Sequence, residues 1–213
     1  MSDLDTLVQD AQAFCATLAA NNNKGWWDAN KATYEAKLKR PALALLEAMT
    51  APLKEVTCHD ATPKLFRPYR DVRFSKDKTP YQTHLHMMWS LDAGGRQDPV
   101  IFFGIDIDSV TFGGGVVSFD KEVLADWRKM IDLDGDRIGT ILGTAEAQGF
   151  GYYGEALKRV PHPFPKDHPQ AEHLKRKGLV LTRPLDGTGP LTDRITAGVG
   201  DLVPVLKMLD SVL

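Results

Sequence analysis

The chain has 213 residues, of which 43% are hydrophobic and 25% are charged, and its formal net charge is -2. This composition is typical of a globular protein of one domain, and it lacks the excess of positive charge that non-specific nucleic-acid binding requires. The two cysteines are too few for a disulfide framework, and no apolar run is long enough to span a bilayer. The chain also begins without the basic and apolar pattern of a signal peptide. We therefore expect a cytoplasmic protein with no membrane segment.

Helical periodicity dominates the first part of the chain. Apolar residues recur every three or four positions over residues 3–55, except in the run Asn21–Gly25, which ends the first helix because Asn and Gly tolerate a left-handed backbone. Cys15 lies on an apolar stripe, so we expect it in the core rather than as a nucleophile. Lys31 lies among aromatic residues of the second helix. It either reaches solvent or points into a pocket shared with the basic loop described below.

The next part, residues 65–118, has the alternation of β-strands. Apolar and polar side chains alternate through the segments 83–91 and 101–108, and turn residues follow each segment. Consecutive strands joined by short turns form an antiparallel meander. We therefore predict an α+β fold in which helices pack on one face of a mainly antiparallel sheet, with residues 1–213 in a single domain.

A helical and mixed region is expected over residues 119–213. Apolar spacing predicts one helix over residues 123–131, a second over residues 138–145, and a C-terminal helix in which Pro204 is a candidate kink. Residues 179–182 have the composition of a further strand. These elements complete the predicted single domain.

Positive charge is concentrated in one segment, residues 67–81, which we call the basic loop. Read as an extended segment, residues 66–74 would place Arg70 on a mostly apolar face. A guanidinium there needs a carboxylate, a set of carbonyls or a bound anion. Residues 75–80 are predicted to leave the strand, because Asp, Lys and Pro are poor strand formers.

Two interpretations of the basic loop remain open. In the leading one, its cations bind a small anionic or phosphorylated ligand, with or without catalysis, through charge-assisted hydrogen bonds. The candidate ligand-binding residues are Lys31, Arg67, Arg70, Arg73, Lys76 and Lys78. The candidate catalytic residues are Asp71, Asp77 and Tyr81, with Tyr69 as a further hydrogen-bond donor. In the alternative, the same charges form an internal salt-bridge network within a non-enzymatic protein-interaction or structural module.

A second set of polar residues lies on the predicted sheet. His84 and His86 share one face of their strand, and Asp106 and Asp108 share one face of theirs. In register, two imidazoles and two carboxylates suit a divalent metal, and the corresponding function is a metal-dependent hydrolase. The alternative is an ordinary solvent-facing polar surface on a half-buried sheet.

The glycine run Gly113–Gly115 lies between a predicted strand and a predicted helix. Such a run can hold a phosphate on backbone amides, or it can permit a bulge or a close approach between strands. The run lacks both the Walker lysine and the spaced dinucleotide fingerprint. We therefore expect no cofactor.

Four segments together resemble one protein family. They are Asn21–Lys31, Arg70–Tyr81, Gly113–Gly115 and Leu157–Pro161, and the first two are long and specific. The combination resembles the bacterial and fungal family named domain of unknown function 2461. This resemblance implies a domain that covers nearly the whole chain, and it implies no reaction, substrate or cofactor. The sequence differs from the family pattern at Trp27 and Gln82, where Phe and Lys are typical, and near Glu155 and Pro163, where glycines are typical.

Overall fold

The computed structural model describes residues 3–213 of the chain. Its helices are α1 (Asp3–Ala20), α2 (Lys24–Tyr34), α3 (Arg40–Thr57), α4 (Lys121–Ala147), α5 (Ala171–Leu174) and α6 (Leu191–Asp210), and a π-helical turn, Glu35–Lys39, joins α2 to α3. Its strands are β1 (Asp60–Leu65), β2 (Leu85–Asp92), β3 (Val100–Ile105), β4 (Val110–Val116), β5 (Gly151–Tyr152) and β6 (Leu179–Pro184). Within residues 3–213, no helix combines the length and apolarity that a membrane crossing needs.

The strands form one antiparallel sheet in the order β1-β2-β3-β4-β6-β5. The predicted α+β class and the meander are thus confirmed. Strand β1 was not predicted, because its sequence is polar and contains Pro63. A proline is tolerated at the edge of a sheet, where its missing amide hydrogen deprives no neighbouring strand of a hydrogen bond.

The core lies on one face of the sheet. Alternate residues of β2 are almost fully buried there, and helices α3 and α6 pack over the sheet. The Trp89 indole donates a hydrogen bond to the Leu46 carbonyl of α3 at 3.0 Å, which ties this helix to the centre of the sheet. The opposite face is only half-buried and carries His86, Met88 and Phe102. Polar chemistry is therefore available on that open face.

The breaks predicted within the helices have different outcomes. The two helices predicted over residues 123–131 and 138–145 lie on either side of a kink in α4 at Asp134, where the backbone leaves helical values with φ of -137° and ψ of 36°. Pro204 lies inside α6 without dividing it. Near Pro41, the wider π-helical turn accommodates a residue that has no amide hydrogen and whose ring would clash in a regular α-helix.

The glycine run Gly113–Gly115 lies inside β4 and serves close packing between strands. A Cβ atom at Gly113 would lie 2.2 Å from the Leu181 carbonyl oxygen, and one at Gly115 would lie 1.9 Å from the Leu179 carbonyl oxygen. Gly115 also has φ of +132°, which side chains disfavour. The contact with β6 therefore accounts for the glycines, as in the second interpretation above.

Candidate functional site

Three of the four predicted metal-ligating residues meet on the open face of the sheet. Residue 85 pairs with residue 105 in the β2–β3 register, which places His84 opposite Asp106 and His86 opposite Gly104. Asp106 Oδ1 lies 4.0 Å from His84 Nδ1 and 3.7 Å from His86 Nε2. One ligand atom from each residue lies within 4.8 Å of the other two. We call these three residues the His-His-Asp cluster.

Asp108 lies outside this cluster. The Asp106 amide donates a hydrogen bond to the Ser109 carbonyl at 2.9 Å, which closes a tight turn between β3 and β4. Asp108 occupies this turn and is exposed. Strand β3 ends at Ile105, so its alternation does not extend to Asp108 and does not place the Asp108 carboxylate beside Asp106.

The imidazoles of the cluster have lowered basicity. Burial lowers the pKa of His84 against the opposing effect of Asp106. Burial, together with the neighbouring His84, lowers the pKa of His86 to about 4. Both rings are therefore neutral at pH 7, which is the form that coordinates a metal ion.

The cluster is packed yet open to solvent. The two imidazole rings stack with centroids 3.6 Å apart, and the Phe102 ring meets His86 edge-on at 4.9 Å. A Cβ atom at Gly104 would lie 3.0 Å from both His86 and Phe102, so this glycine makes room for the two rings. The exposed fractions of the His84, His86 and Asp106 side chains are 28%, 24% and 46%. A small molecule can therefore reach the cluster.

The separations between Asp106 and the two histidines are close to those of a metal site. Two bonds of about 2.1 Å at a tetrahedral angle hold their ligand atoms roughly 3.4 Å apart. The two histidine-to-Asp106 distances, 3.7 and 4.0 Å, exceed this value by a few tenths of an ångström. The two stacked imidazole planes differ by only 13°, so at least one ring must turn out of the stack before a nitrogen of each ring can point at one metal ion.

The basic loop is not a strand. The strand expected over residues 66–74 is wrong. Strand β1 ends at Leu65, and residues 66–74 contribute one isolated bridge, between Tyr69 and Tyr81. Phe74 is 95% exposed rather than on an apolar face. Asp71 accepts hydrogen bonds from both the backbone amide and the guanidinium of Arg73, and such local bonds compete with strand pairing. Residues 75–80 are irregular, as predicted.

The arginines in the middle of the loop pair within the loop. Arg70 contacts the side chains of Asp77 and Thr79, and Arg73 Nη2 lies 2.6 Å from Asp71 Oδ2. These contacts match the internal salt-bridge interpretation for Arg70 and Arg73. The hydrogen bond from Arg73 lowers the pKa of Asp71.

The remaining loop cations do not converge on one point. Lys78 donates a hydrogen bond to the Val72 carbonyl at 2.9 Å. Lys76 is exposed. Hydrogen bonds from the Thr79 amide and then from Arg70 lower the pKa of Asp77 to about 2, so this carboxylate is a weak base.

The candidate catalytic Tyr81 is a buried packing residue. Its ring stacks on Trp27 with centroids 4.4 Å apart, and burial raises its pKa. Asn22 holds the Tyr81 backbone from both sides: its side chain donates to the Tyr81 carbonyl at 2.8 Å and accepts from the Tyr81 amide at 3.1 Å. Asn23 caps α2 by accepting from the Trp26 amide at 3.0 Å. The Asn-rich motif thus anchors the end of the basic loop.

Lys31 and Arg67 line a common cleft of about 360 Å³. Its walls include the aromatic residues Trp27, Tyr34 and Tyr69. Neither cation forms an ion pair with another of the residues 3–213. We call this space the aromatic cleft. The pocket suggested for Lys31 thus exists, although only Arg67 among the loop cations lines it.

Cys15 is 2% exposed, as expected for a core residue. Burial, with a smaller contribution from Asp106, raises the pKa of its thiol to about 12. A thiol with this pKa is a poor nucleophile at neutral pH.

A comparison with protein families identifies the family of the chain. The model described as "Conserved hypothetical protein (DUF2461)" matches residues 10–209, which is nearly the whole chain. A search among curated proteins found no match.

Proposed function

Since the chain belongs to the DUF2461 family of conserved hypothetical proteins, a description that names no reaction, we propose a function from its side chains: the His-His-Asp cluster binds a divalent transition metal. One observation carries the proposal. Ligand atoms of His84, His86 and Asp106 lie within 4.8 Å of one another on the open face of the sheet.

The donor set determines the class of metal. Imidazole nitrogen suits zinc, iron, nickel and copper, and a carboxylate oxygen completes a three-ligand set that zinc and iron sites use. Three protein ligands leave coordination positions for water and a substrate. A bound metal lowers the pKa of its water toward 7 and so generates a nucleophile at neutral pH. We accordingly propose metal-assisted hydrolysis as the reaction class.

Zinc titration of the metal-free protein tests binding. We expect saturable zinc binding by calorimetry. The affinity should fall at least 100-fold in His86→Ala, because loss of a metal ligand lowers metal affinity more than loss of a residue that hydrogen-bonds to a ligand. The matched control is His168→Ala. His168 Nε2 lies 3.2 Å from Asp132 Oδ1, and within residues 3–213 this pair belongs to no group of three metal-ligating side chains. Absence of saturable zinc binding, or equal loss in both variants, would overturn the proposal.

Hydrolysis needs a separate assay. We expect one or more ester or phosphoester substrates to be cleaved with zinc or manganese present, and chelation to stop cleavage until metal is returned. His86→Ala should be inactive while His168→Ala retains activity. Metal binding without cleavage of any ester or phosphoester would leave the metal site standing and refute the hydrolase.

A second candidate function is binding of a small anionic ligand in the aromatic cleft. Lys31 and Arg67, which form no ion pair within residues 3–213, line it beside aromatic rings. This combination favours a ligand that carries both an anionic group and an apolar or ring-shaped body.

A thermal-shift screen with nucleotides, phosphorylated metabolites and dicarboxylates tests the aromatic cleft. A ligand at a hundred times its dissociation constant stabilises by about 2.7 kcal/mol, or roughly 5–10 °C in a domain of this size. We expect Arg67→Gln to lose the shift and Arg73→Gln to keep it, because Arg73 is paired within the loop. A shift that both variants retain would place the ligand elsewhere.

The cysteines support a reducing location. Cys15 and Cys58 are both free, and Cys58 is exposed. An exposed free thiol is more compatible with the cytoplasm than with an oxidising compartment, so we propose a cytoplasmic location.

A further inference from the structure

A cavity of about 510 Å³ is lined by the chain segment that connects β5 to β6. Its lining consists of Lys158, Arg159, Val160, Lys166 and Lys175, and we call it the lysine pocket. The segment Leu157–Pro161, noted above only for its family resemblance, supplies three of these residues. The Leu157 amide donates a hydrogen bond to the Lys175 carbonyl at 2.9 Å, which fastens this irregular segment to the chain that follows α5.

The charges of the lysine pocket are poorly compensated. Among the described residues, Lys158, Arg159 and Lys166 have no side-chain hydrogen bond or ion pair. Lys175 alone is paired, with its ammonium 2.6 Å from Glu172 Oε1. This arrangement differs from the basic loop, where Arg70 and Arg73 each have a carboxylate. Like charges around one cavity repel, and a bound anion removes that repulsion.

The residues on either side of Lys175 are packed against the rest of the protein. Leu174, immediately before Lys175, is fully buried. Arg176, immediately after it, stacks its guanidinium 3.8 Å from the centre of the Tyr152 ring. The Arg176 Nε atom is buried and has no hydrogen-bond partner in the described part of the chain. The Lys175 backbone is thus held on both sides.

We propose that the lysine pocket binds a small polyanion with at least two negative charges, of the phosphorylated or polycarboxylate class. Its volume lies in the range of small-molecule sites. Arg159 offers the planar fork that matches phosphate and carboxylate oxygens, and the lysines act as point charges. No aromatic side chain lines the pocket among the described residues, so it offers no stacking surface for a nucleotide base.

This site is separate from the two discussed above. The lysine pocket is lined by residues of the chain segment between β5 and β6, whereas the His-His-Asp cluster lies on β2 and at the end of β3. Anion binding here does not depend on a metal, and it is expected to persist in chelator-treated protein and in His86→Ala.

Isothermal titration of chelator-treated protein with pyrophosphate and, separately, citrate tests the proposal at 0.15 M salt. We expect saturable binding of at least one probe. The double variant Arg159→Gln/Lys166→Gln should weaken it at least tenfold. The control Arg40→Gln/Lys121→Gln changes charge equally at exposed positions elsewhere and should change affinity less than twofold.

The outcomes separate the possibilities. Preferential binding of pyrophosphate or of citrate, lost only in the pocket variant, supports the proposal and names the class of anion. Absence of saturable binding by either probe, equal weakening in the control, or loss of binding in His86→Ala would overturn it.

Discussion

Acidification from pH 7.5 to pH 5 is expected to destabilise the metal-free protein through His86. An unfolded histidine has a pKa near 6.5, whereas burial lowers the pKa of His86 to about 4 in the folded protein. Between these values the unfolded state binds more protons. The stabilisation is therefore complete above pH 6.5 and is lost as the pH falls toward 4.

The magnitude follows from the same two pKa values. Proton linkage between pH 7.5 and pH 5 amounts to about 2 kcal/mol of unfolding free energy. The side chain of His86 is 24% exposed, and solvent screening reduces the expected loss to about 1 kcal/mol.

Urea unfolding of wild type and His86→Gln in chelator, at pH 7.5, 6 and 5, measures this loss. Glutamine does not titrate, so the wild type should lose about 1 kcal/mol more than the variant on acidification. His162→Gln is the matched control, because it makes the same substitution at an exposed histidine outside the His-His-Asp cluster. A difference between wild type and His86→Gln that stays constant across this pH range would refute the reasoning.

Two further predictions concern packing and the basic loop. Gly198→Ala should destabilise the protein by about 2 kcal/mol in urea unfolding, because the added Cβ would lie 2.3 Å from the Phe112 ring. If the variant is as stable as the wild type, helix α6 and the sheet can separate at little cost in free energy. In Arg70→Ala, the pKa of Asp77 should rise yet stay below its ordinary value, because the Thr79 amide still donates to it. Carboxyl NMR titration measures this change, and an unaltered Asp77 titration would contradict the pairing.

Strand alternation predicted which residues share a face, and the register of the folded sheet brings three of them together. Residues two apart on a strand share a face, so His84 was grouped with His86 and Asp106 with Asp108, and their meeting depended on a register that the sequence does not specify. Asp108 fails because a tight turn begins at Asp106, and a turn does not continue the alternation.

The basic loop could not be predicted in the same way. Its ends are held by contacts from α2 and the residues before it, notably Asn22, which is 59 positions from Tyr81 in the chain. Its middle is held by pairs such as Arg73 with Asp71, and a sequence shows the charges without showing which of them pair. Alternation alone therefore predicted a strand where local side-chain bonds form a loop.

The lysine pocket was missed for a related reason. Its cations come from the irregular segment 158–166 and from Lys175, and neither part has a periodicity that places side chains on a common face. The available signal was a motif, Leu157–Pro161, rich in positive charge within an acidic chain. Only the folded arrangement shows that these cations share one cavity.

Anomalous X-ray diffraction at the zinc absorption edge, from crystals grown with zinc, tests the metal site most directly. The account predicts one strong peak about 2.0–2.2 Å from His84 Nδ1, His86 Nε2 and an Asp106 carboxylate oxygen. Zinc bound only at other residues, or no peak at the His-His-Asp cluster under saturating zinc, would contradict it.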